Sequence, residues 1–226
     1  MNTVDRRRWL SGAAASLLLP AAARARGTPM YDYLFLDLDA VPAGPALTAR
    51  LKAEAAAIAA GGGEVLGAFT SQLGWHARQA AILLRWSGAT SARESVVAAL
   101  GGQRDRLTPT ARPGASDRPR PGGIYVHRWF VIDTPALDEF VALSTEGWKD
   151  FEARFDTNIF GLFTAAQTEA DLKAGQTRLL LLTRYGDHGV WETSRDPSTA
   201  AMAAFMRRQK LTRDTWAAST LLAPPP

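Results

Sequence analysis

The chain has 226 residues, 46% of them hydrophobic, a formal net charge of +4 and no cysteine. That length and apolar content can bury the core of one large domain or two small ones. The lack of cysteine excludes disulfides, thiolate catalysis and cysteine-ligated metals, and it suits an oxidising compartment.

The N-terminus has the layout of a secretory signal. Arg6, Arg7 and Arg8 precede a short apolar run from Trp9 to Leu19, and Ala23-Arg24-Ala25 forms an A-x-A cleavage site. The run is far shorter than the ~20 residues a spanning helix needs. Arg6-Arg7-Arg8-Trp9-Leu10 resembles a twin-arginine export signal, with Asp5 where a Ser or Thr is usual. The expectation is a periplasmic or secreted protein with no transmembrane segment once residues 1–25 are removed. Those residues carry four arginines and one aspartate, so the remaining charge falls to +1. The basic balance therefore gives little reason to expect a nucleic-acid partner, and the linker arginines have no aromatic residues interleaved with them.

The mature chain reads as two similar parts, 30–100 and 123–222, joined by residues 101–122 (GGQRDRLTPTARPGASDRPRPG). This joining segment is a linker or long surface loop by its Gly, Pro and Arg content. The first part opens with an apolar strand, Tyr31 to Val41. An alanine-rich helix follows from Pro45 to Ala60 and is ended by Gly61-Gly62-Gly63. Strands then run from Val65 to Thr70 and from Ala80 to Trp86, with a helix from Ser91 to Leu100. The second part repeats the order: a strand from Ile124 to Asp133, a helix capped by Thr134 and running to about Phe155, and strands Ile159 to Thr164 and Leu179 to Tyr185. A final helix is expected from Pro197 to Leu222, with Thr212 as a point where it could break. Gly67 aligns with Gly161, Phe69 with Phe163, and Arg85-Trp86 with Arg184-Tyr185.

Each half is thus an α+β unit of β-α-β-β-α order, the ferredoxin-like plan with its last strand lost or hidden. Such a sheet has helices on one face only. The bare face must be covered, and the sister sheet is the simplest cover. The expected fold is one barrel of antiparallel sheets with helices outside, formed within a single chain.

Gly63 to Gly74, followed by Ile82-Leu83-Leu84-Arg85-Trp86, resembles the central hairpin of NIPSNAP-type domains, members of the dimeric α/β-barrel superfamily. Tyr125-Val126-His127-Arg128-Trp129-Phe130 is similar to the opening strand of that family, and Leu211 to Trp216 to its closing helix. Val126 stands where an acidic residue is expected. The resemblance implies an intramolecular dimeric-α/β-barrel fold and a small, largely apolar ligand between the sheets. Cofactor-free oxygenation or isomerisation is the rival reading. Some barrels of the superfamily bind haem through a histidine, for which His127 is the candidate. No cofactor is assigned, and a homo-oligomer is possible.

Strand alternation puts His127 and Arg128 on opposite faces, so only one can point inward. We favour Arg128, with Val126 and Phe130 on its face, and expect His127 to pack under the helices as a hydrogen-bonded side chain. The expected lining is Arg128, Phe130, Phe69 and Phe163, with Trp86 and Tyr185. Arg85 and Arg184 read either as anion anchors at the pocket mouth or as strand-end arginines stacked on Trp86 and Tyr185, the second being favoured. The seven tryptophans read mostly as core and interface.

One motif points elsewhere. Asp37-Leu38-Asp39-Ala40-Val41 resembles the first motif of haloacid-dehalogenase-type phosphatases, with Thr70 or Ser71, Lys149 and Gly186-Asp187 as further elements. That fold needs a parallel sheet, whereas Val65–Thr70 and Ala80–Trp86 read as a hairpin. The plainer reading leaves Asp37 and Asp39 at a strand end, met by solvent or a helix cap.

Overall fold

The computed structural model describes residues 29–88 and 91–223; residues 1–25, expected to be an export signal, lie outside the described residues. Eight strands close into one antiparallel barrel. They are β1 (Met30–Asp37), β2 (Gly63–Leu73), β3 (Gln79–Trp86), β4 (Gln103–Pro109), β5 (Ile124–Asp133), β6 (Thr157–Ala165), β7 (Gln176–Tyr185) and β8 (Thr212–Leu222). Their order around the barrel is β1-β3-β2-β8-β5-β7-β6-β4. Each half contributes a four-stranded ferredoxin-like sheet. The seams between halves are β2 against β8 and β4 against β6.

The helices lie outside. α1 (Ala43–Ala60) and α2 (Ser91–Leu100) cover the first sheet, where Leu47, Leu51 and Ile58 pack on Leu34, Leu36, Ile82 and Leu84. α3 (Leu137–Arg154), α5 (His188–Thr193) and α6 (Ala200–Gln209) cover the second sheet. There Phe140, Trp148 and Phe151 pack on Phe130, Ile132 and Leu162. α4 (Glu169–Ala174) is a single capped turn before β7. Thr134 does not cap α3; its hydroxyl meets that of Thr177 at 3.0 Å.

The doubling is visible in detail. Tyr31 pairs with Arg85 as Tyr125 pairs with Arg184, so Tyr33 is the counterpart of His127 and Leu34 of Arg128. β2 and β6 each carry a register shift at the same point, between Val65 and Gly67 and between Ile159 and Gly161. The extra residue bends the strand and re-aims its neighbours. Phe69 and Phe163 fold back over their glycines. A Cβ on Gly67 would lie 2.4 Å from the Phe69 ring, and one on Gly161 2.7 Å from the Phe163 ring. Only glycine leaves room for either ring.

Three expectations need correction. Residues 101–122 are not all linker, because 103–109 form β4, which pairs with both β1 and β6. The fourth strand of each repeat is therefore present rather than lost. The final helix stops at Gln209. Thr212 to Leu222, including the segment likened to a closing helix, is strand β8, whose Thr, Trp and Ser residues suit a pleated surface better than a helix.

Candidate functional site

The barrel interior is a packed aromatic core. Tyr31, Tyr33, Phe69, Tyr125, Trp129, Phe160 and Phe163 fill it with Leu83, Leu180 and Leu182. Its two ends differ. Residues 110–123 cross the first end. The chain bonds to β6 there (Thr110 N–H to the Leu162 carbonyl, 2.9 Å; Leu162 N–H to the Arg112 carbonyl, 3.1 Å). The Tyr125 hydroxyl then donates to the Arg120 carbonyl at 2.7 Å, and Arg118 meets Glu64 at 2.5 Å.

Arg85 and Arg184 are part of this closure. Arg85 pairs with Glu64 at 2.5 Å and donates to the Ala115 carbonyl; Arg184 pairs with Asp156 and donates to the Gly122 carbonyl at 3.2 Å. Their charge is spent on carboxylates and loop carbonyls. They are neither free anion anchors nor stacked on Trp86 and Tyr185, which point to the opposite face.

The second end is open. Tyr33, Phe35, Trp75, Trp129, Trp216, Gln103, Asp105 and Arg178 surround a cavity of about 280 Å³. Trp129 and Trp216, directly paired across β5 and β8, stack with ring centroids 6.1 Å apart. Trp75, from the β2–β3 hairpin, meets Phe35 edge-on at 5.1 Å. Arg178 binds Asp105 of the first half (2.8 Å) and Asp171 of the second (3.1 Å) and lies over Trp129 at 5.9 Å. Asp171 is held well below the usual carboxylate range: burial opposes this, but hydrogen bonds from Gln176, Thr168 and Arg178 outweigh it. The mouth is thus mainly aromatic with one fixed ion-pair network on its rim.

His127 lies beneath this mouth, inside the barrel, so the expected phase of β5 is inverted. Tyr125, His127 and Trp129 face inward; Val126, Arg128 and Phe130 face the helices. The Thr220 hydroxyl donates to the Tyr125 carbonyl (3.1 Å), which leaves its oxygen to accept from His127 Nε2–H (3.0 Å). Nδ1 then accepts from the Tyr33 hydroxyl (2.9 Å). Phe69 and Trp75 pack against the ring at 4.6 and 5.0 Å. Burial pushes the imidazole down to about 3, so it is neutral. A neutral histidine with both nitrogens satisfied is the favourable state in an apolar interior.

Phe69 and Phe163 are inside as expected. Arg128, Phe130, Trp86 and Tyr185 are not: they belong to the helix-covered layers. Both faces of each strand are buried, so apolar character alone could not select the inner one. The mouth residues Trp75, Trp129, Trp216 and Arg178 were not singled out from sequence. The available signal was the inward aromatic alternation of Tyr125, His127 and Trp129.

Haem, raised by the superfamily resemblance, does not fit the histidines. His127 has no free nitrogen. His188 meets the Ser219 hydroxyl at 3.1 Å beside a cavity of about 90 Å³, well below the ~300 Å³ where pockets for drug-sized ligands begin. The phosphatase reading fails on topology, since the sheet is an antiparallel barrel. Asp37 is exposed and paired with Arg78 at 2.5 Å, Lys149 lies exposed on α3, and Asp187 caps α5. Among the described residues, no three His, Cys, Asp or Glu side chains gather as metal ligands would. No described helix is long and apolar enough to cross a membrane.

Comparison with solved structures supports the same fold. The chain is similar to a monooxygenase-like protein from Fusobacterium nucleatum (TM-score 0.56, 9% identity, covering 87% of this chain and 93% of that one). It is also similar to an anthrone oxidase-like protein (0.55, 12%, 87% and 92%). A chlorite dismutase variant from Candidatus Nitrospira defluvii matches as well (0.54, 8%, 87% and 91%). These neighbours are dimeric α/β-barrel proteins, and the chain has that fold. No protein-family profile matches it, and neither does any curated protein sequence.

Proposed function

We propose that this protein binds a flat, largely apolar small molecule at the aromatic mouth of its barrel. The observation that carries the reading is the open end itself: Trp75, Trp129, Trp216, Phe35 and Tyr33 around about 280 Å³, with Arg178 and Asp105 fixed at the rim. Mostly apolar walls with a few placed polar groups are the usual make-up of small-molecule sites. Trp216, 46% exposed, stacks on Trp129 and so presents part of its ring face at the mouth.

Anthrone, a planar tricyclic ketone suggested by one structural neighbour, is the probe. It should quench tryptophan fluorescence saturably, and Trp216→Ala should weaken it at least tenfold while the protein stays folded. Quenching that never saturates, or an affinity unchanged in Trp216→Ala, overturns the reading. Oxygen uptake is the second readout. One O₂ consumed per anthrone converted to anthraquinone, with one water released, extends the site from binding to oxidation. The likeness to monooxygenase-like folds favours that measurement.

Two finer readings go with this one. The hairpin from Gly63 to Gly74 supports a NIPSNAP-like affiliation. The segment at residues 1–25 supports twin-arginine export, for which the test is a periplasmic protein whose N-terminus is Arg26 by mass spectrometry.

A further inference from the structure

The segment that crosses the first end of the barrel also walls a second cavity, of about 430 Å³. It is lined by Arg112, Asp117, Arg118 and Arg120 of that segment, by Glu152 of α3, and by residues 157–160 at the start of β6. The arginines stand on anchored backbone. The Arg112 carbonyl accepts from Leu162 N–H, and the Arg120 carbonyl from the Tyr125 hydroxyl. The Arg112 side chain is fixed as well: its Nη1 donates to both Glu152 oxygens (2.8 and 3.0 Å), and its guanidinium lies over the Trp148 ring at 5.3 Å. Glu152 is spent, since it also accepts from Ile159 N–H at 2.7 Å.

The two halves part company at this wall. Glu64 and Asn158 are counterparts, set opposite Arg85 and Arg184 in their ladders. Glu64 takes up both Arg85 and Arg118, each at 2.5 Å. Asn158 is uncharged in the matching place, and Arg184 turns to Asp156. Among the described residues no ion pair or side-chain hydrogen bond holds the Arg120 guanidinium, which is exposed at the cavity. The lining therefore has Arg112, Arg118 and Arg120 against Asp117 and Glu152, one positive charge in excess. Adding Glu64 and Arg85, joined to it through Arg118, leaves the same excess.

A carboxylate supplies one negative charge and fits a guanidinium fork, whereas a phosphate monoester brings nearly two. The rest of the wall suits hydroxyl groups. Asp117 accepts from Gly114 N–H through one oxygen (2.7 Å) and offers the other; Asn158 donates to Glu152 at 3.4 Å and offers its amide oxygen. We propose that this cavity binds a hydroxylated monocarboxylate of the sugar-acid class, its carboxylate held by Arg120 and its hydroxyls met by Asp117, Asn158 and the free arm of Arg112. The site is at the opposite end of the barrel from Trp129 and Trp216, so it stands independently of the aromatic mouth.

The test is calorimetric titration of the folded protein, in a buffer free of carboxylates and phosphate, with gluconate, the neutral polyol sorbitol, butyrate and inorganic phosphate. Gluconate should bind saturably, with butyrate and phosphate at least tenfold weaker and sorbitol not binding. Arg120→Gln should weaken gluconate at least tenfold, and its exposed side chain lets the variant fold. Arg207→Gln removes an exposed cation of α6, away from the cavity, and should leave gluconate affinity unchanged. No saturable gluconate binding, or sorbitol, butyrate or phosphate binding as tightly, overturns the proposal. So does an unchanged affinity in Arg120→Gln, or an equal loss in Arg207→Gln, which would mark a response to net charge alone.

Discussion

On the helix-covered face of the first half, Asp32 is fully buried with Arg93 2.8 Å and Arg104 2.6 Å from its oxygens, and Glu94 binds Arg104 in turn at 2.6 Å. On the same face of the second half, Val126 occupies the equivalent place and Leu34 is replaced by Arg128. The acid is gone, and buried Arg208 of α6 packs its guanidinium on the rings of Phe130, Phe140 and Phe205. Both layers use the same sheet and similar helices. One is a closed network of ion pairs; in the other, among the described residues, no ion pair holds Arg128 or Arg208. Closed networks hold a fold together, whereas a partly buried cation without a counter-charge costs stability.

The contrast can be broken from the first half. Asp32→Asn removes the buried carboxylate charge that Arg93 and Arg104 share, and urea unfolding should show a loss of about 3–5 kcal/mol, the usual result of removing one partner of a buried pair. Asp32 is also held below its ordinary value: burial opposes this, but the hydrogen bonds from Arg93 and Arg104 prevail. Its contribution is therefore present at neutral pH and lost as pH falls through that lowered value.

The counterparts Tyr33 and His127 sharpen the comparison through pH. His127 titrates near 3 when folded and near 6.5 when unfolded, so between these values the unfolded chain binds more protons. Stability should fall as pH drops from about 6.5 toward 3, by about 3 kcal/mol between pH 7 and pH 4 for this group. His127→Gln should flatten that part of the stability–pH curve. An unchanged slope would mean the acid sensitivity lies elsewhere.

Where the halves agree, variants should behave alike. Gly67→Ala and Gly161→Ala each drive a methyl group into the following phenylalanine, and each should cost about 1–3 kcal/mol by overpacking. Unequal losses in thermal melts would show that one bulge is better supported. The smallest expected effect is Arg128→Leu, which makes the second half resemble the first at Leu34. It should raise stability by about 1 kcal/mol, since a charge without an ion pair among the described residues gives way to apolar packing.

Much of this duplication was legible in the sequence. The pairings of Gly67 with Gly161, Phe69 with Phe163 and Arg85 with Arg184 all reappear in the structure, and they lead to the barrel. The inner face was not legible. His127 and Arg128 alternate correctly, but a strand with a packed lumen on one side and helices on the other is buried on both, so alternation gives two faces without saying which is inside. The histidine won the interior because Tyr33 and Thr220 satisfy it there. Strand β4 was hidden because Gln103-Arg104-Asp105-Arg106 is polar throughout, its charges paired with Asp32, Glu94 and Arg178. The aromatic mouth draws on β1, β4, β5, β7, β8 and a hairpin, a convergence that only the closed ladder reveals.

Residues 110–123, laid across the first end of the barrel, also join one half to the other in the chain. Closure is therefore intramolecular, and dilution does not pull the two lobes apart. A barrel assembled from identical subunits must carry every substitution twice. Here a single gene copy can alter one lobe and leave its twin as the scaffold, so Asp32 and Arg128 can stand on matching surfaces of the same molecule.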